Sequence, residues 1–227
     1  MRVATESMKE LLATSKKRDD YRCDEREEAE EPDEDEPDDA PDDDNPAEEG
    51  VAEPQLRVAG RHAEGELDIP DDIDLLEGEP RSARRGVGVV VSRFNGEIVN
   101  KLLESALAEL DRVGVAKDSI TVMAVPGAFE LPIGAMALAK TRRYSCIVTL
   151  GCVIRGETAH FEYVAGEAAS GIQLAALETG VPVSFGVLTV DTTEQAEARI
   201  DKGAEAVRSA LEMADLFSQL RTAAQGN

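Results

Sequence analysis

The chain has 227 residues, with 24 Lys and Arg against 47 Asp and Glu, and a formal net charge of −23. Residues 1–80 carry 30 acidic and 9 basic side chains, whereas residues 81–227 carry 17 and 15, so nearly all the excess charge lies in the first third. A run of carboxylates repels phosphates, which excludes nucleic-acid binding by that third. No window approaches the 18 apolar residues of a membrane span, and we expect no secretory or transit signal.

The three cysteines, Cys23, Cys146 and Cys152, form an odd number and show no metal-ligand spacing. We therefore expect free thiols, a cytoplasmic location and no metal site.

The acidic part of the chain is poor in large apolar side chains. From Asp19 to Glu53 it consists mainly of Asp, Glu, Pro and Ala, which bury too little surface to offset chain entropy. Residues 1–80 are therefore predicted to be an acidic, largely disordered extension, with residues 1–68 disordered throughout. The stretch Ile69 to Leu76 is apolar enough to lie against a folded body.

After Arg85 the chain alternates between apolar runs and amphipathic segments. The apolar runs predict four buried strands, at Gly86–Val91, Ile120–Val125, Cys146–Val153 and Val183–Val190. The spacing between and after them predicts four helices: within Ser92 to Gly114, and at Ala128–Lys140, Thr158–Thr179 and Thr193–Leu216. This alternation predicts one α/β domain over residues 81–227, with helices on both faces of a parallel, doubly wound sheet.

Ligands of such sheets bind outside the carboxyl ends of the strands, which directs attention to the loops that follow them. In the first loop, Phe94 either stacks on a flat heterocycle or plugs a helix onto the sheet. In the second, Glu130 either accepts hydrogen bonds from a polyol or is an ordinary carboxylate in the first turn of a helix. Neither loop contains a glycine-rich nucleotide fingerprint.

The third loop has the richest chemistry. Thr158 is a good helix N-cap, and the amides around it would form an anion site. His160 follows in the first helical turn, where the dipole disfavours the imidazolium form, so it is either structural or a proton carrier near pH 7. Arg199 and Lys202, three residues apart, either clamp a phosphate or belong to a solvated, ion-paired face.

Taken together, these loops resemble the 6,7-dimethyl-8-ribityllumazine synthase family over about Gly86 to Phe217. The motifs that carry the resemblance are Arg93-Phe94-Asn95, Pro126-Gly127-Ala128-Phe129-Glu130, Gly151-x-Val153-Ile154-Arg155-Gly156-x-Thr158-x-His160 and Pro182-Val183-x-Phe185-Gly186-Val187-Leu188-Thr189. The resemblance implies a flavodoxin-like, three-layer sandwich with a four-stranded parallel sheet. It also implies the condensation of 5-amino-6-(D-ribitylamino)uracil with 3,4-dihydroxy-2-butanone 4-phosphate, without a metal or redox cofactor.

The same resemblance implies a role for each candidate residue. His160 would transfer protons, Phe94 would stack on the pyrimidine ring, and Glu130 would bind the ribityl hydroxyls. Further contacts to the ribitylaminouracil would come from Ala128, Phe129, Cys152, Val153 and Ile154. The butanone phosphate would be bound by Glu157, Thr158 and Arg199, while Lys202 and Phe185 would approach from a neighbouring subunit.

Such an enzyme is expected to act on small molecules as a homo-oligomer, in pentamers and possibly in a 60-subunit shell. Two other interpretations remain open: a non-catalytic shell-forming or flavin-binding relative, and an archaeal-type riboflavin synthase. The presence of His160, Arg199 and Phe94 together favours the synthase.

Overall fold

The computed structural model describes residue 65, residues 67–82 and residues 86–225. Nearly all of the predicted disordered segment, residues 1–68, lies outside the described residues, as does Cys23.

Four parallel strands form the sheet, as predicted. They are β1 (Gly86–Ser92), β2 (Ile120–Val125), β3 (Tyr144–Ile154) and β4 (Val183–Val190). Their order across the sheet is β2-β1-β3-β4. The two central strands are buried almost throughout, which explains their unbroken apolar runs, whereas the edge strand β2 exposes Val122.

Five helices surround the sheet: α1 (Gly96–Arg112), α2 (Leu131–Lys140), α3 (His160–Thr179), α4 (Thr193–Glu197) and α5 (Lys202–Gln225). Short 3₁₀ turns occupy Lys117–Ser119 and Ala128–Glu130. The second of these turns takes up the predicted start of the second helix, which therefore begins only at Leu131.

The prediction of one continuous helix from Thr193 to Leu216 is wrong, because a turn interrupts the helix between α4 and α5. Thr192 caps the short helix α4 by accepting a hydrogen bond from the amide of Gln195. The start of α5 is fixed instead by α1: the Gly203 backbone approaches the carbonyl of Leu102 so closely that a Cβ would collide with it. This contact with another helix, rather than local periodicity, sets where the last helix begins.

The helices form two outer layers around the sheet, which confirms the three-layer sandwich. On one face, Val87 and Val89 lie in a core with residues of α1 and α5 such as Leu102 and Val207. On the other face, Val90 lies in a core with residues of α2 and α3. The alternation along β1 follows from the two-residue repeat of a strand.

The connections turn in opposite directions on the two sides of β1. The chain moves through α1 to β2 at one edge, then returns through α2 past β1 to β3, and continues to β4. Right-handed crossovers therefore place α1 on one face and both α2 and α3 on the other. The switch point lies between β1 and β3, and the carboxyl edge of the sheet at such a point is where ligands of this fold class bind.

Residues 77–82, just before β1, are attached to α5. Arg81 Nε and Nη2 donate to Asp215 Oδ1 at 2.8 and 2.7 Å, and the amide of Glu79 donates to Asp215 Oδ2 at 3.1 Å. Gln219 Nε2 donates to the carbonyl of Glu77 at 2.9 Å. We call this set of contacts the α5 anchor.

The expectation that Ile69 to Leu76 lies against the body is wrong for the single chain. Ile73 and Leu75 are 57% and 51% exposed. Aspartates alternate with the apolar residues in this stretch, so no continuous apolar face forms. The polar contacts of the α5 anchor instead hold the residues that follow this stretch, from Glu77 to Arg81.

The α5 anchor makes a testable contribution to stability. Burial alone would raise the pKa of Asp215, but Arg81, Gln219 and the amide of Glu79 outweigh it and hold that pKa below its usual value. A lowered folded-state pKa stabilises the protein above the unfolded value, near pH 4, and this stabilisation is lost as pH falls through the folded value. Asp215→Asn should therefore lower the free energy of unfolding by about 1–2 kcal/mol at pH 7, and by less below about pH 4.

Urea denaturation at the two pH values measures this difference. Asp111→Asn, at an exposed position on α1, is the matched control and should leave stability unchanged. Equal effects of the two substitutions would show that the α5 anchor contributes nothing.

Candidate functional site

All four loops meet at the carboxyl edge of the sheet. Main-chain bonds join the first two, because the amides of Arg93 and Phe94 donate to the carbonyls of Val125 and Pro126 at 2.9 and 3.1 Å. The last two are joined in the same way, by the amide of Arg155 and the carbonyl of Val190 at 2.9 Å. The loops after β2, β1, β3 and β4 thus follow one another in that order along one edge.

Asn95 connects the two sides of the switch point. It is the N-cap of α1 and adopts a left-handed conformation with φ of 56°. Its Nδ2 donates to the carbonyl of Cys152 on β3 at 2.9 Å. Sequence reasoning missed this connecting role of Asn95. The one signal for it was the residue type, because asparagine tolerates the left-handed region better than most residues.

The ring of Phe94 projects from the loop that Asn95 holds. It is 69% exposed, so the interpretation as a plug between helix and sheet is wrong. An exposed ring at a crevice offers a flat apolar surface to a ligand.

The second loop exposes Phe129 and half-buries Glu130, while Ala128 is buried in the core. Glu130 Oε2 accepts a hydrogen bond from the amide of Gly127 at 2.9 Å, so the carboxylate does organise the first turn of a helix. Its other oxygen, Oε1, has no hydrogen-bond partner among the described residues. Glu130 is therefore a carboxylate of the first helical turn, and one of its oxygens remains available to a ligand.

At the end of β3, Cys152 and Val153 are buried and Ile154 is half-buried. Burial raises the pKa of the Cys152 thiol to about 11 and that of Cys146 to about 12. Neither thiol is therefore an effective thiolate nucleophile at neutral pH. The Cys152 carbonyl accepts a hydrogen bond from Asn95, and both Cys152 and Val153 pair with β4.

The third loop carries three exposed candidates, Glu157, Thr158 and His160. The prediction of Thr158 as N-cap is wrong, because Ala159 occupies that position in a near-helical conformation and α3 begins at His160. Thr158 Oγ1 lies 3.4 Å from the amide of His160, a long contact that does not satisfy that donor well. The imidazole is on the surface, so the interpretation as a core histidine is also wrong.

Arg199 lies in the turn between α4 and α5, not within a helix. It is exposed, and its Nη1 donates to the carbonyl of Gln195 at 2.8 Å. Lys202, the first residue of α5, instead pairs with Glu205 at 2.6 Å. The two cations of the predicted clamp therefore differ. Lys202 has a carboxylate partner, whereas Arg199 has none in the part of the chain that the structure describes.

Phe185 is the one candidate that a single chain does not bring to this edge. It lies opposite Thr149 in the sheet and is 45% exposed. It precedes Val190, the last residue of β4, by five positions, which is about 16 Å along the strand. Its ring is exposed but lies well away from the loops of its own chain.

Arg155 is a second residue whose role sequence reasoning missed. Its Nε donates to Asp191 Oδ1 at 2.8 Å, and its Nη1 donates to Glu162 Oε1 at 3.3 Å. The guanidinium also lies 4.4 Å from the centre of the Phe161 ring. A cation in one strand-end loop and an aspartate in the next were the available signals, but their pairing depends on the order of the strands.

Within residues 67–82 and 86–225, no group of three or more His, Cys, Asp or Glu side chains is placed to hold a metal ion. None of the described helices is long and apolar enough to cross a membrane.

Comparison with known proteins identifies the family. The family model described as 6,7-dimethyl-8-ribityllumazine synthase matches residues 85–218, nearly the extent over which the motifs resemble it. Proteins named 6,7-dimethyl-8-ribityllumazine synthase from Yersinia pestis (strain Pestoides F) and Yersinia pseudotuberculosis (serotype O:1b, strain IP 31758) are 46% identical to this chain over 155 residues. Each alignment covers 66% of this chain and 99% of the relative. The chain therefore belongs to the 6,7-dimethyl-8-ribityllumazine synthase family, whose members are transferases of riboflavin biosynthesis.

Proposed function

We propose that this chain condenses 5-amino-6-(D-ribitylamino)uracil with 3,4-dihydroxy-2-butanone 4-phosphate to 6,7-dimethyl-8-ribityllumazine in the cytoplasm, releasing phosphate and water. The observation that carries the proposal is the sheet edge, where an exposed aromatic ring and an exposed histidine stand on loops joined across the switch point. Family membership supplies the reaction; the arrangement of the edge supports the assignment of residues to its two substrates.

The ribitylaminouracil occupies the β2, β1 and β3 end of the edge. The ring of Phe94 stacks on the pyrimidine, and Phe129 adds a second exposed aromatic contact. Glu130 Oε1 accepts hydrogen bonds from the ribityl hydroxyls, while Oε2 stays with the amide of Gly127. Ala128, Cys152, Val153 and Ile154 complete this subsite, mainly through their main chain.

The phosphate of the second substrate lies at the start of α3. The first amides of a helix lack intrahelical partners and favour an anion. Glu157 and Thr158 contribute through the amides of this turn, and Thr158 adds its hydroxyl. Arg199, whose charge is not neutralised by a carboxylate among the described residues, meets the phosphate. Lys202, like Phe185, approaches from a neighbouring subunit.

The chemistry asks the protein for positioning and proton transfer. The substrate's own amine attacks the ketone to form an imine with loss of one water, and phosphate is then eliminated. The ribityl-bearing nitrogen closes the second ring on the remaining carbonyl with loss of a second water. No protein nucleophile takes part, which agrees with the raised pKa of the Cys152 thiol. His160 moves protons between these steps, and holding the two reactants together supplies much of the rate.

His160→Ala should lower kcat by about 10²-fold, because one positioned acid–base group is lost while both substrates still bind. The measurement is lumazine formation from the two purified substrates, followed by its fluorescence. Gln173→Ala, at an exposed position on the same helix, is the control and should keep the wild-type rate. An unchanged rate for His160→Ala would remove the proton-transfer role.

The same assay tests the two other functions. A non-catalytic relative would give no lumazine, and a riboflavin synthase would consume added lumazine to form riboflavin.

A complete site requires a second copy of the chain. Phe185 is about 16 Å from the loops of its own sheet edge, so in a homo-oligomer it serves a neighbouring subunit. Large apolar side chains on α2 and α3 are exposed in the single chain, among them Ile133 and Leu177 at 71% and 75%. Such exposure is typical of surfaces that subunits cover. The proposed assembly is a pentamer, with a 60-subunit shell as its larger form.

Shared sites can be detected by mixing two inactive variants. His160→Ala and Phe185→Ala subunits damage different sides of the same interface, so random mixing should restore about a quarter of the sites. Lumazine formation after joint unfolding and refolding of the two variants measures the recovery. Each variant refolded alone is the control, and no recovery in a mixed oligomer would place both residues in the site of one subunit.

We further propose that residues 1–80 are an appendage to a catalytic domain at residues 81–227. Its net charge of −21 would act on assembly or on cationic partners, not on the reaction.

Deletion of residues 1–68 should leave kcat and both KM values unchanged. It should change particle size most at low salt, because charges are screened beyond about 8 Å at physiological ionic strength. Kinetics and light scattering at two salt concentrations test both parts, and a large loss of kcat would contradict the division.

A further inference from the structure

We propose that Arg155 is a positioning residue that holds the phosphate-binding turn in place by tying it to Asp191, in the next strand-end loop, and to the first turn of α3. The inference rests on the function proposed above and adds a specific support for the phosphate-bearing substrate. Arg155 itself is not required to touch that substrate.

The contacts of Arg155 reach two separate pieces of chain. Its amide fixes it to Val190 at the end of β4, and its Nε reaches Asp191 in the following loop. Its Nη1 reaches Glu162, and its guanidinium plane lies over Phe161, both in the first turn of α3. One side chain therefore spans the two ends of the short segment 156–160.

That segment has little other support. Gly156, Glu157 and Thr158 are exposed, and within the described chain their amides make no hydrogen bond to the neighbouring strands. Phe161 follows His160 directly, so the contact with Arg155 also restrains the start of the helix that carries the imidazole. Without Arg155, the turn would keep its composition but lose its fixed position.

Stability alone does not account for this arrangement. The side chains of Arg155, Asp191 and Glu162 are 45%, 64% and 67% exposed, and exposed ion pairs contribute little to folding. The planar guanidinium can, however, bond two carboxylates and stack on a ring at the same time, which the ammonium of a lysine cannot do. The geometry suits the fixing of a loop more than the strengthening of a fold.

The charge balance also separates Arg155 from Arg199. Arg155 is paired with two carboxylates, whereas Arg199 has none among the described residues. An arginine already neutralised by two carboxylates attracts a phosphate weakly. Positioning and phosphate binding are thus assigned to different arginines.

The test compares Arg155→Ala, Asp191→Asn and the double variant with the wild-type protein. Arg155→Ala should lower kcat/KM for the butanone phosphate by about 10- to 100-fold, as expected for a misplaced binding turn. KM for the ribitylaminouracil should change less than twofold, because Phe94, Phe129 and Glu130 stand on other loops, and the remaining contacts near Arg155 are fixed within β3. Asp191→Asn should reproduce much of the loss, and the double variant should be no worse than Arg155→Ala. Arg155→Lys should restore less than half of the lost activity.

Two readouts besides activity complete the design. Calorimetric titration with inorganic phosphate should show weaker binding for both Arg155→Ala and Asp191→Asn. The thermal midpoint of each variant should stay within about 3 °C of wild type, since the pairs are exposed.

Other outcomes overturn the inference. If Arg155 binds the phosphate directly, Asp191→Asn will leave activity unchanged or raise it. If Arg155 is merely structural, the thermal midpoint will fall and both KM values will rise together. An inactive wild-type protein contradicts the proposed function itself, whereas an active wild type with an equally active Arg155→Ala contradicts only the role of Arg155.

Discussion

The divergence of the chain between β1 and β3 is the constraint on which the site depends. Because one connection leaves β1 towards β2 and the next returns past it towards β3, the loops after these two central strands lead to helices on opposite faces of the sheet. The hydrogen bond from Asn95 to the carbonyl of Cys152 crosses the switch point. It ties the loop of Phe94 to the strand that leads to His160, so that two loops far apart in sequence act as one site.

Some charges at the edge are held by carboxylate or ammonium partners and others are not, and this separates supporting groups from available ones. Lys202 is paired with Glu205, and Arg155 is held by Asp191 and Glu162. Arg199 meets only a main-chain carbonyl, so its charge stays available to an anion. Among the described residues of the edge, Arg93 is likewise exposed and without a carboxylate partner. In a protein of strongly negative net charge, such uncompensated arginines favour the binding of a phosphorylated substrate.

The sequence was sufficient for the strands, because buried parallel strands are continuous apolar runs and β2 and β4 were placed to the residue. It failed where contacts between distant segments decide the local structure. Apolar periodicity continues through Ile200 to Leu211 and predicts one helix, yet the contact of Gly203 with α1 breaks it. The motifs marked the loops that carry the candidate site. They did not show that Arg155 meets Asp191, since that pairing requires β3 and β4 to be neighbours.

The path of α5 explains how an acidic appendage and an anionic substrate are compatible in one protein. Lys202 begins this helix near the strand-end loops, and Asp215 follows thirteen residues later, about 20 Å away along the axis. The α5 anchor therefore attaches the segment before β1 at the end of the helix remote from Arg199. At physiological ionic strength, 20 Å is more than two Debye lengths. The charge of Glu79, whose amide bonds to Asp215, thus has little effect at the Lys202 end of α5, and the helix acts as an electrostatic spacer.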